Sequence, residues 1–316
     1  MTSSGYVGTH GVASQSGGAA SFTGSGMPPS SPTTAGREFS LRISSRRREL
    51  GLKAAAVAQQ LGFSRVYLSA IENNRASLSR SRLPDLFDVL GFDQEEAEEL
   101  TVLLKASREP GWWDPYAKIL PASFVEFIGL EHGAKRVQIF ESRVMTGLLQ
   151  TREYATVVVD SAPDVSPTKA RQLVDVRLHR QRRLAGPDPL AVELVLSEAV
   201  LMQQFGGPDI LRSQLQRLLE GVDLGLVKLR VQPFHITPLG MTMSSTVVIL
   251  EFDSVHQPRV VWMEGSDLSV ELVEARAEVE MIMVSYERLL VSCLDEVESL
   301  DLVRRRLVEL DKELIQ

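Results

Sequence analysis

Residues 50–74 read LGLKAAAVAQQLGFSRVYLSAIENN. An Ala-rich helical segment, 53–61, is followed by Gly62, and glycine ends a helix in the left-handed conformation at little steric cost. Ser64 then provides an N-cap for a second helical segment, 65–72. Two short helices joined by a tight turn that contains glycine are typical of a helix-turn-helix, and the spacing predicts that motif here.

The second segment of this motif carries side chains suited to the DNA major groove. We expect Leu68 and Ile71 to face the protein, with Val66 or Tyr67 beside them, and the polar residues to face outward. Arginine pairs bidentately with a guanine edge, and an apolar side chain contacts the thymine methyl group. A lysine at a helix N-terminus suits a phosphate. The predicted DNA-contacting residues are Lys53, Ser64, Arg65, Val66, Tyr67, Ser69, Asn73 and Arg75.

Helical periodicity continues on both sides of the motif. Phe39, Ile43 and Leu50 predict one face of a preceding helix. A fourth and a fifth helix are predicted within 83–104, separated by a glycine and a capping aspartate. Together these segments predict an all-α, five-helix DNA-binding domain over 37–107.

The net charge of −7 is distributed unevenly along the chain. Residues 37–90 contain ten basic and five acidic residues, a net charge of +5, and 1–36 contain neither kind. Residues 91–316 therefore carry −12. A short basic module joined to a long acidic body indicates that the module meets a polyanion and that the body has another role.

The N-terminal 36 residues have an unusual composition. Of these residues, 24 are Gly, Ser, Thr or Pro. Such a segment has too little apolar surface to offset the entropy lost on ordering, so we predict a disordered tail over 1–36.

The larger region, 108–316, shows a mixed pattern that predicts an α+β domain. The order of its strands is not readable from the sequence. Helices are predicted at 121–140, 151–160, 167–184, 208–220, 267–292 and 297–314, and strands at 190–197, 226–231, 246–252 and 260–263.

Several groups in this region have two readings each. Trp112 and Trp113 either line a ligand pocket or anchor one domain on another. Glu131 and Arg177 either pair internally or leave Glu131 as a catalytic carboxylate. A basic run forms either a solvated or salt-bridged helix face or a phosphate site; its residues are Lys169, Arg171, Arg177, Arg180, Arg182 and Arg183.

A heptad-like series of apolar residues marks the segment 267–292. Its members are Leu272, Ala275, Val279, Ile282, Tyr286, Leu289 and Cys293. Steps of three and four residues are typical of a coiled-coil-like seam. The seam serves either the core of its own domain or a second protomer.

Neither an enzyme nor a cofactor site is indicated. The single cysteine, Cys293, excludes an internal disulfide and a Cys-based zinc site, and the five histidines have no metal-ligand spacing. We expect no catalytic residues, no metal and no cofactor. The absence of a long apolar run or a basic leader predicts no membrane association and a cytoplasmic location at the nucleoid.

The helix-turn-helix segment resembles the Xre family of phage-repressor-type regulators. The matching runs are Leu50-Gly51-Leu52, Val57-Ala58, Leu61-Gly62-Phe63-Ser64, Tyr67-Leu68-Ser69 and Ile71-Glu72-Asn73. The resemblance implies a lambda-repressor-like fold. The family's usual Gln near the start of the second helix is Ala54 here. Base-specific contacts are therefore expected to rest more on Arg65 and on the cluster Arg46–Arg48.

The remainder resembles WhiJ-like, antitoxin-like actinobacterial regulators. The matching residues are Trp112-Trp113, Leu130-Glu131, Gly147–Thr151, Tyr154-Ala155, Arg177, Arg180-Gln181, Glu198-Ala199, Gly206-Gly207, Gln214-Leu215 and Leu250–Phe252. The resemblance implies a transcriptional regulator that works with a small protein encoded by a neighbouring gene.

The leading hypothesis is a sequence-specific regulator that binds double-stranded DNA as a homodimer, because two recognition helices then read two half-sites. In this hypothesis the C-terminal domain mediates dimerisation and control by the small partner protein. Two alternatives stay open: an antitoxin-like protein-interaction module, and a small-molecule sensor in which DNA binding is secondary.

Overall fold

The architecture was obtained from a computed structural model, which describes residues 31–162, 165–240, 244–265 and 270–315. A helical region, residues 32–106, is followed by an α+β domain built on a six-stranded sheet, which confirms the predicted fold class. The predicted tail lies outside the described residues over 1–30.

The N-terminal region contains the five predicted helices. They are α1 (Pro32–Glu49), α2 (Ala54–Gln60), α3 (Arg65–Glu72), α4 (Leu83–Leu90) and α5 (Gln94–Ala106). Their apolar faces meet in one core, in which Ile43, Leu68, Leu86 and Leu100 are fully buried. Leu50 is exposed at the end of α1, so it does not belong to the predicted apolar face.

The C-terminal domain combines seven helices with six strands among the described residues. The helices are α6 (Ala122–Gly133), α7 (Arg152–Asp160), α8 (Pro167–Arg180), α9 (Glu198–Met202), α10 (Pro208–Asp223), α11 (Arg276–Val291) and α12 (Glu296–Ile315). The strands are β1 (Arg136–Glu141), β2 (Ala191–Ser197), β3 (Val227–Gln232), β4 (Ser244–Glu251), β5 (Val260–Gly265) and β6 (Val270–Val273).

The strand order is β3-β2-β1-β4-β5-β6. β1 pairs with β2 in parallel and with β4 antiparallel, so that Ile139 lies opposite both Leu194 and Val248. One face of the sheet packs against α6, α10 and α12, and the other packs against α11. Alternation along β1 places Ile139 on the first face and Phe140 on the second.

Two predicted helices are wrong in part. The segment 121–140 divides into α6 and β1, and the segment 267–292 contains β6 before α11 begins at Arg276. Apolar runs of this kind suit either a helix or a buried strand. Here they form strands because they pair with residues that are distant in the sequence. The short helix α9 and the strand β6 were not predicted.

The predicted seam serves the core of its own domain. Val279, Tyr286 and Leu289 pack from α11 onto the second face of the sheet, while Leu272 lies in β6. These seam residues are therefore not available to a second protomer.

Helix α1 begins five residues earlier than predicted, and this corrects the end of the predicted tail. Ser31 is the N-cap, and its Oγ accepts a hydrogen bond from the Thr34 amide (3.5 Å). Pro32 occupies the first turn, where its missing N–H has no intrahelical partner to lose. The small residues here are not disordered, because they pack closely against α6.

The contact between α1 and α6 depends on two glycines of α6. A Cβ atom at Gly129 would lie 2.6 Å from the Thr33 Cβ, and one at Gly133 would lie 2.5 Å from the Thr34 Cγ2. The Ser31 hydroxyl also donates to the Gly129 carbonyl oxygen (2.6 Å). Only glycine permits this approach, which fastens the N-terminal half of α1 to the C-terminal domain.

We expect Gly129→Ala to destabilise the protein by about 1–3 kcal/mol, because the added methyl group forces α1 and α6 apart. The control is Gly221→Ala in α10, where a Cβ would meet its nearest neighbours at ordinary contact distances of 3.5 and 3.6 Å. Alanine is the better helix former, so this control is expected to be neutral or stabilising by about 0.5–1 kcal/mol. Thermal unfolding of both variants measures the difference, and equal stability would contradict the proposed role of Gly129.

Candidate nucleic-acid interface

The turn between α2 and α3 has the geometry that the sequence predicts. Gly62 has φ +64°, and the Phe63 amide donates to the Ala58 carbonyl oxygen (2.8 Å), which closes the end of α2. Ser64 Oγ accepts from the Tyr67 amide (3.0 Å) and caps α3. At the other end of α3, Asn74 takes a left-handed conformation with φ +54°. Both ends of α3 are therefore held locally.

Helix α3 has a buried face and an exposed face. Leu68 and Ile71 pack into the core of the N-terminal region. Arg65 and Ser69 are exposed, and Val66 is 79% exposed, so Val66 belongs to the outer face. A helix whose polar side projects from a helix-turn-helix in this way is suited to enter the major groove.

Two of the predicted contact residues make hydrogen bonds within the motif. Tyr67 is half-buried: its ring lies edge-on to Phe63 at 5.1 Å, and its hydroxyl donates to the Ser77 carbonyl oxygen (3.1 Å). The amide of Asn73 donates to the Ser69 carbonyl oxygen (2.7 Å). These bonds orient α3 and the loop that follows it.

The expectation that the Arg46–Arg48 cluster reads bases is wrong for two of its members. Arg47 makes two hydrogen bonds to the Glu72 carboxylate (2.5 and 2.8 Å), and this pair raises the pKa of Arg47. Arg46 donates to the carbonyl oxygens of Leu90 (3.2 Å) and Gly91 (2.6 Å). These two guanidinium groups hold the domain together, and Arg47 in particular joins α1 to α3.

The basic residues of 37–90 fall into two groups: those that form ion pairs and those that do not. Among the described residues, five of the ten basic residues of 37–90 make ion pairs with carboxylates: Arg37, Arg42, Arg46, Arg47 and Arg82. The other five are exposed and make none: Arg48, Lys53, Arg65, Arg75 and Arg80. This second group supplies the positive charge that is available to a nucleic acid. Arg48 is the member of the predicted Arg46–Arg48 cluster that belongs to it, and Arg80 belongs to it although it was not predicted as a contact residue.

Arg75 lies at a cleft between the two domains. The cleft has a volume of about 990 Å³ and is lined by the loop after α3, by α6 and by Glu274. Glu126 of α6 lines it as well; burial raises the pKa of Glu126, and Arg75 acts in the opposite direction. Arg75 therefore faces both solvent and the acidic wall of the C-terminal domain.

The C-terminal domain reaches α1 through polar contacts that the sequence did not predict. Arg37 Nε donates to Glu274 Oε1 (2.8 Å), and Gln257 Nε2 donates to Glu38 Oε2 (2.9 Å). The only signal in the sequence is the four-residue spacing of Gly129 and Gly133, together with the small residues that precede Arg37. Which residues of α1 and of the C-terminal domain meet depends on tertiary structure.

Trp112 and Trp113 were predicted either to line a pocket or to serve as an anchor, and the two residues differ in this respect. Trp113 is buried in the core of the C-terminal domain. Trp112 stacks on His179, with ring centroids 4.0 Å apart, and lines a pocket of about 270 Å³. Burial lowers the pKa of His132, which lines the same pocket, to about 4. Trp113 thus anchors the connecting segment, whereas Trp112 borders a cavity.

The predicted pairing of Glu131 with Arg177 is wrong. Glu131 accepts two hydrogen bonds from Arg180 (2.8 and 2.7 Å), and both residues are buried. Arg183 is also buried and donates to the His132, Ala134 and Asp188 carbonyl oxygens. The basic run is therefore divided: Arg180 forms a salt bridge and Arg183 binds carbonyl oxygens in the protein interior, whereas Arg171 and Arg182 are exposed.

Metal and membrane sites are not found in the part of the chain that the structure describes. In residues 31–162, 165–240, 244–265 and 270–315, no three His, Cys, Asp or Glu residues are placed to hold a metal ion. Each helix within these ranges is too short or too polar to traverse a lipid bilayer.

Two family models match the chain. A model described as "Helix-turn-helix domain" (HTH_31) matches residues 38–100, the stretch that contains α2 and α3. A model described as "Domain of unknown function (DUF5753)" matches residues 124–305, more than half of the chain. The chain belongs to the DUF5753 family. Comparisons with curated proteins and with solved structures give no match.

The matched ranges agree with the architecture. The helix-turn-helix match supports a DNA-binding regulator, and the DUF5753 match extends from α6 into α12. Residues 31–37, which hold α1 against α6, and the connecting segment with Trp112 lie outside both matches.

Proposed function

We propose that this DUF5753 protein is a sequence-specific transcriptional regulator that places α3 in the DNA major groove. The exposed outer face of α3 carries the proposal: Arg65, Val66 and Ser69 project to solvent from a helix that is capped at both ends. In this proposal Arg65 reads a guanine and Val66 contacts a thymine methyl group. We place the protein in the cytoplasm, on chromosomal DNA.

The charge distribution supports the same proposal. Lys53 lies at the N-terminus of α2 and Arg65 at the N-terminus of α3, so both cations are on the side of the motif that meets the duplex. Lys53 is assigned to a phosphate, because phosphate contacts position the protein and base contacts specify the sequence.

We expect the affinity for DNA to fall steeply with salt, because lysine and arginine release counterions when they bind phosphates. If about four to eight phosphates are contacted, a plot of log K against log salt has a slope of about −4 to −7. The measurement is a titration of full-length protein against sites selected from a random DNA library, repeated at several salt concentrations.

In the same assay, Arg65→Ala is expected to reduce the preference for one base by ~1–3 kcal/mol. The control is Arg171→Ala, an exposed arginine of α8 outside the helix-turn-helix. A flat salt response would exclude the DNA-binding proposal. If Arg65→Ala weakens all sequences equally, Arg65 contacts only phosphate.

The proposed homodimer has a suitable surface on the outer side of α11. Ala277, Met281, Val284 and Val291 are exposed there at steps of four, three and seven residues. This stripe is distinct from the predicted seam, of which Val279, Tyr286 and Leu289 pack on the sheet. Antiparallel packing of two α11 helices about a two-fold axis at Val284 would place Glu280 of one copy opposite Arg288 of the other. Apolar spacing and complementary charge thus favour a second copy of the chain as the occupant.

Val284→Glu is expected to raise the dimer dissociation constant by about 100-fold, since it buries an unpaired carboxylate at the two-fold axis. Val284 is 51% exposed, and the matched control is Val308→Glu on α12, where the valine is 53% exposed. Sedimentation equilibrium measures the change. A monomeric unmodified protein, or equal effects of the two substitutions, would exclude this surface.

We also propose that a small basic protein encoded by a neighbouring gene controls DNA binding. The net charge of −12 over residues 91–316 and the resemblance to WhiJ-like regulators support this. Co-expression of the full chain with each neighbouring gene product, followed by co-purification, tests it. Recovery of a complex that dissociates at high salt is expected, and recovery of none at low salt would contradict it.

We propose no catalytic activity for this protein. Burial raises the pKa of the Cys293 thiol to about 12, and a protonated thiol is a poor nucleophile.

A further inference from the structure

A cavity lies at the carboxyl end of β1, inside the C-terminal domain. It has a volume of about 120 Å³ and is bordered by α6, α8, the loop after β1 and the adjoining ends of β4 and β5. β1 is the strand at which the sheet changes from parallel to antiparallel pairing. Ligands of sheets with parallel strands commonly bind beyond the carboxyl ends of those strands, at the point where the strand order reverses.

Two arginines of α8 border this cavity, and their partners differ. Arg180 is neutralised by the two hydrogen bonds to Glu131. Arg177 donates to the carbonyl oxygen of Leu173, one turn earlier in its own helix (3.2 Å), and makes no ion pair with any described carboxylate. Burial and the nearby Arg180 lower the pKa of Arg177 to about 10, so it stays charged at neutral pH. Arg177 is thus a partly buried cation without a direct counterion among the described residues.

A second polar side chain in the cavity wall has one atom without a hydrogen-bond partner among the described residues. Gln150 is 3% exposed, and its Nε2 donates to the Met145 carbonyl oxygen (2.7 Å). Its Oε1 atom is buried and has no hydrogen-bond partner among the described residues. A buried acceptor of this kind is costly unless a hydrogen-bond donor such as a water molecule satisfies it.

Part of the cavity wall is aromatic, and the Arg180 guanidinium lies over two of its rings, Phe124 and Phe127. Phe127 stacks on Trp262, with ring centroids 4.7 Å apart, and Phe124 lies 5.9 Å from the same indole. Flat apolar groups pack well against such a wall. An apolar cavity of roughly 150 Å³ holds benzene, so this smaller space of about 120 Å³ admits at most one small ring.

The acidic residues of the cavity restrict the charge of its occupant. Burial raises the pKa of Glu141 to about 8, so its carboxyl group is mostly protonated at neutral pH. It accepts a hydrogen bond from the Thr246 hydroxyl (2.7 Å), and its own O–H is a donor. Glu264, which accepts from the Trp262 indole (3.2 Å), also borders the cavity and disfavours a doubly charged anion.

We infer that this cavity binds a small aromatic monocarboxylate, with its carboxylate on the Arg177 guanidinium and its ring against Phe124 and Trp262. Guanidinium and carboxylate match in a planar, bidentate geometry. The inference is independent of the DNA-binding proposal, because binding is measured without DNA.

Benzoate is the probe, and isothermal titration calorimetry of the full chain is the measurement. A ligand of this size is expected to bind with a Kd on the order of 1 mM or below. Benzamide, which keeps the shape but not the charge, is expected to bind about tenfold more weakly or worse. Inorganic phosphate is expected not to compete, because it has no ring to pack against Phe124 and Trp262 and its dianion is disfavoured beside Glu264.

Three variants locate the site. Arg177→Gln is expected to weaken benzoate binding by about tenfold or more, whereas Arg171→Gln, on the exposed side of the same helix, leaves it unchanged. Val158→Phe fills the cavity from α7 and is expected to abolish binding. Near-ultraviolet circular dichroism verifies that each variant is folded.

The inference is overturned if benzoate does not bind in the millimolar range, or if benzamide or phosphate binds equally well. It is also overturned if benzoate binds Val158→Phe or a folded Arg177→Gln protein as tightly as the unmodified chain. The comparison of benzoate with benzamide needs no variant, so it decides the charge requirement even if Arg177→Gln does not fold.

Discussion

The close approach of α1 to α6 at Gly129 and Gly133 determines how the two domains meet. Helix α1 belongs to both: its N-terminal half packs on α6, while Phe39 and Ile43 farther along it complete the core of the helix-turn-helix region. One continuous helix of 18 residues makes both contacts, and such a helix holds its two ends in a defined relation. The direction in which α3 faces is therefore set relative to the C-terminal domain.

Arginine has two separate uses in the N-terminal region. Arg47 is oriented by a nearly buried carboxylate and holds α3 against α1, and removing one partner of such a pair leaves an uncompensated charge. Arg65 extends into solvent without an ion pair among the described residues, where its charge is available to phosphate or guanine. Sequence alone does not distinguish the two uses, because both kinds of arginine lie in the same basic module. The distinction depends on which carboxylates the fold brings within reach.

The helix-turn-helix was predictable because its signals are local: Gly62 and Ser64 act within one turn of their own positions. The predicted tail was wrong over residues 31–36 because the same small side chains suit both disorder and close helix packing. β1 was mistaken for helix because its partners, β2 and β4, are distant in the sequence. The partner of Glu131 was misassigned by one turn of α8, since periodicity identifies a helix face but not the height at which a side chain meets its neighbour. Long-range pairing therefore accounts for most of what the sequence did not reveal.

Helix α6 links the cavity to the DNA-binding surface. Phe124 and Phe127 form part of the cavity wall, and Gly129 and Gly133 of the same helix contact the first turn of α1. From α1, the pair of Arg47 with Glu72 reaches the last residue of α3. A ligand changes an equilibrium only by the difference in its affinity for the two states, so occupancy matters to DNA binding only if it favours one position of α6. Because the glycine contacts leave no space between α6 and α1, a shift of α6 toward α1 displaces α1, and with it α3.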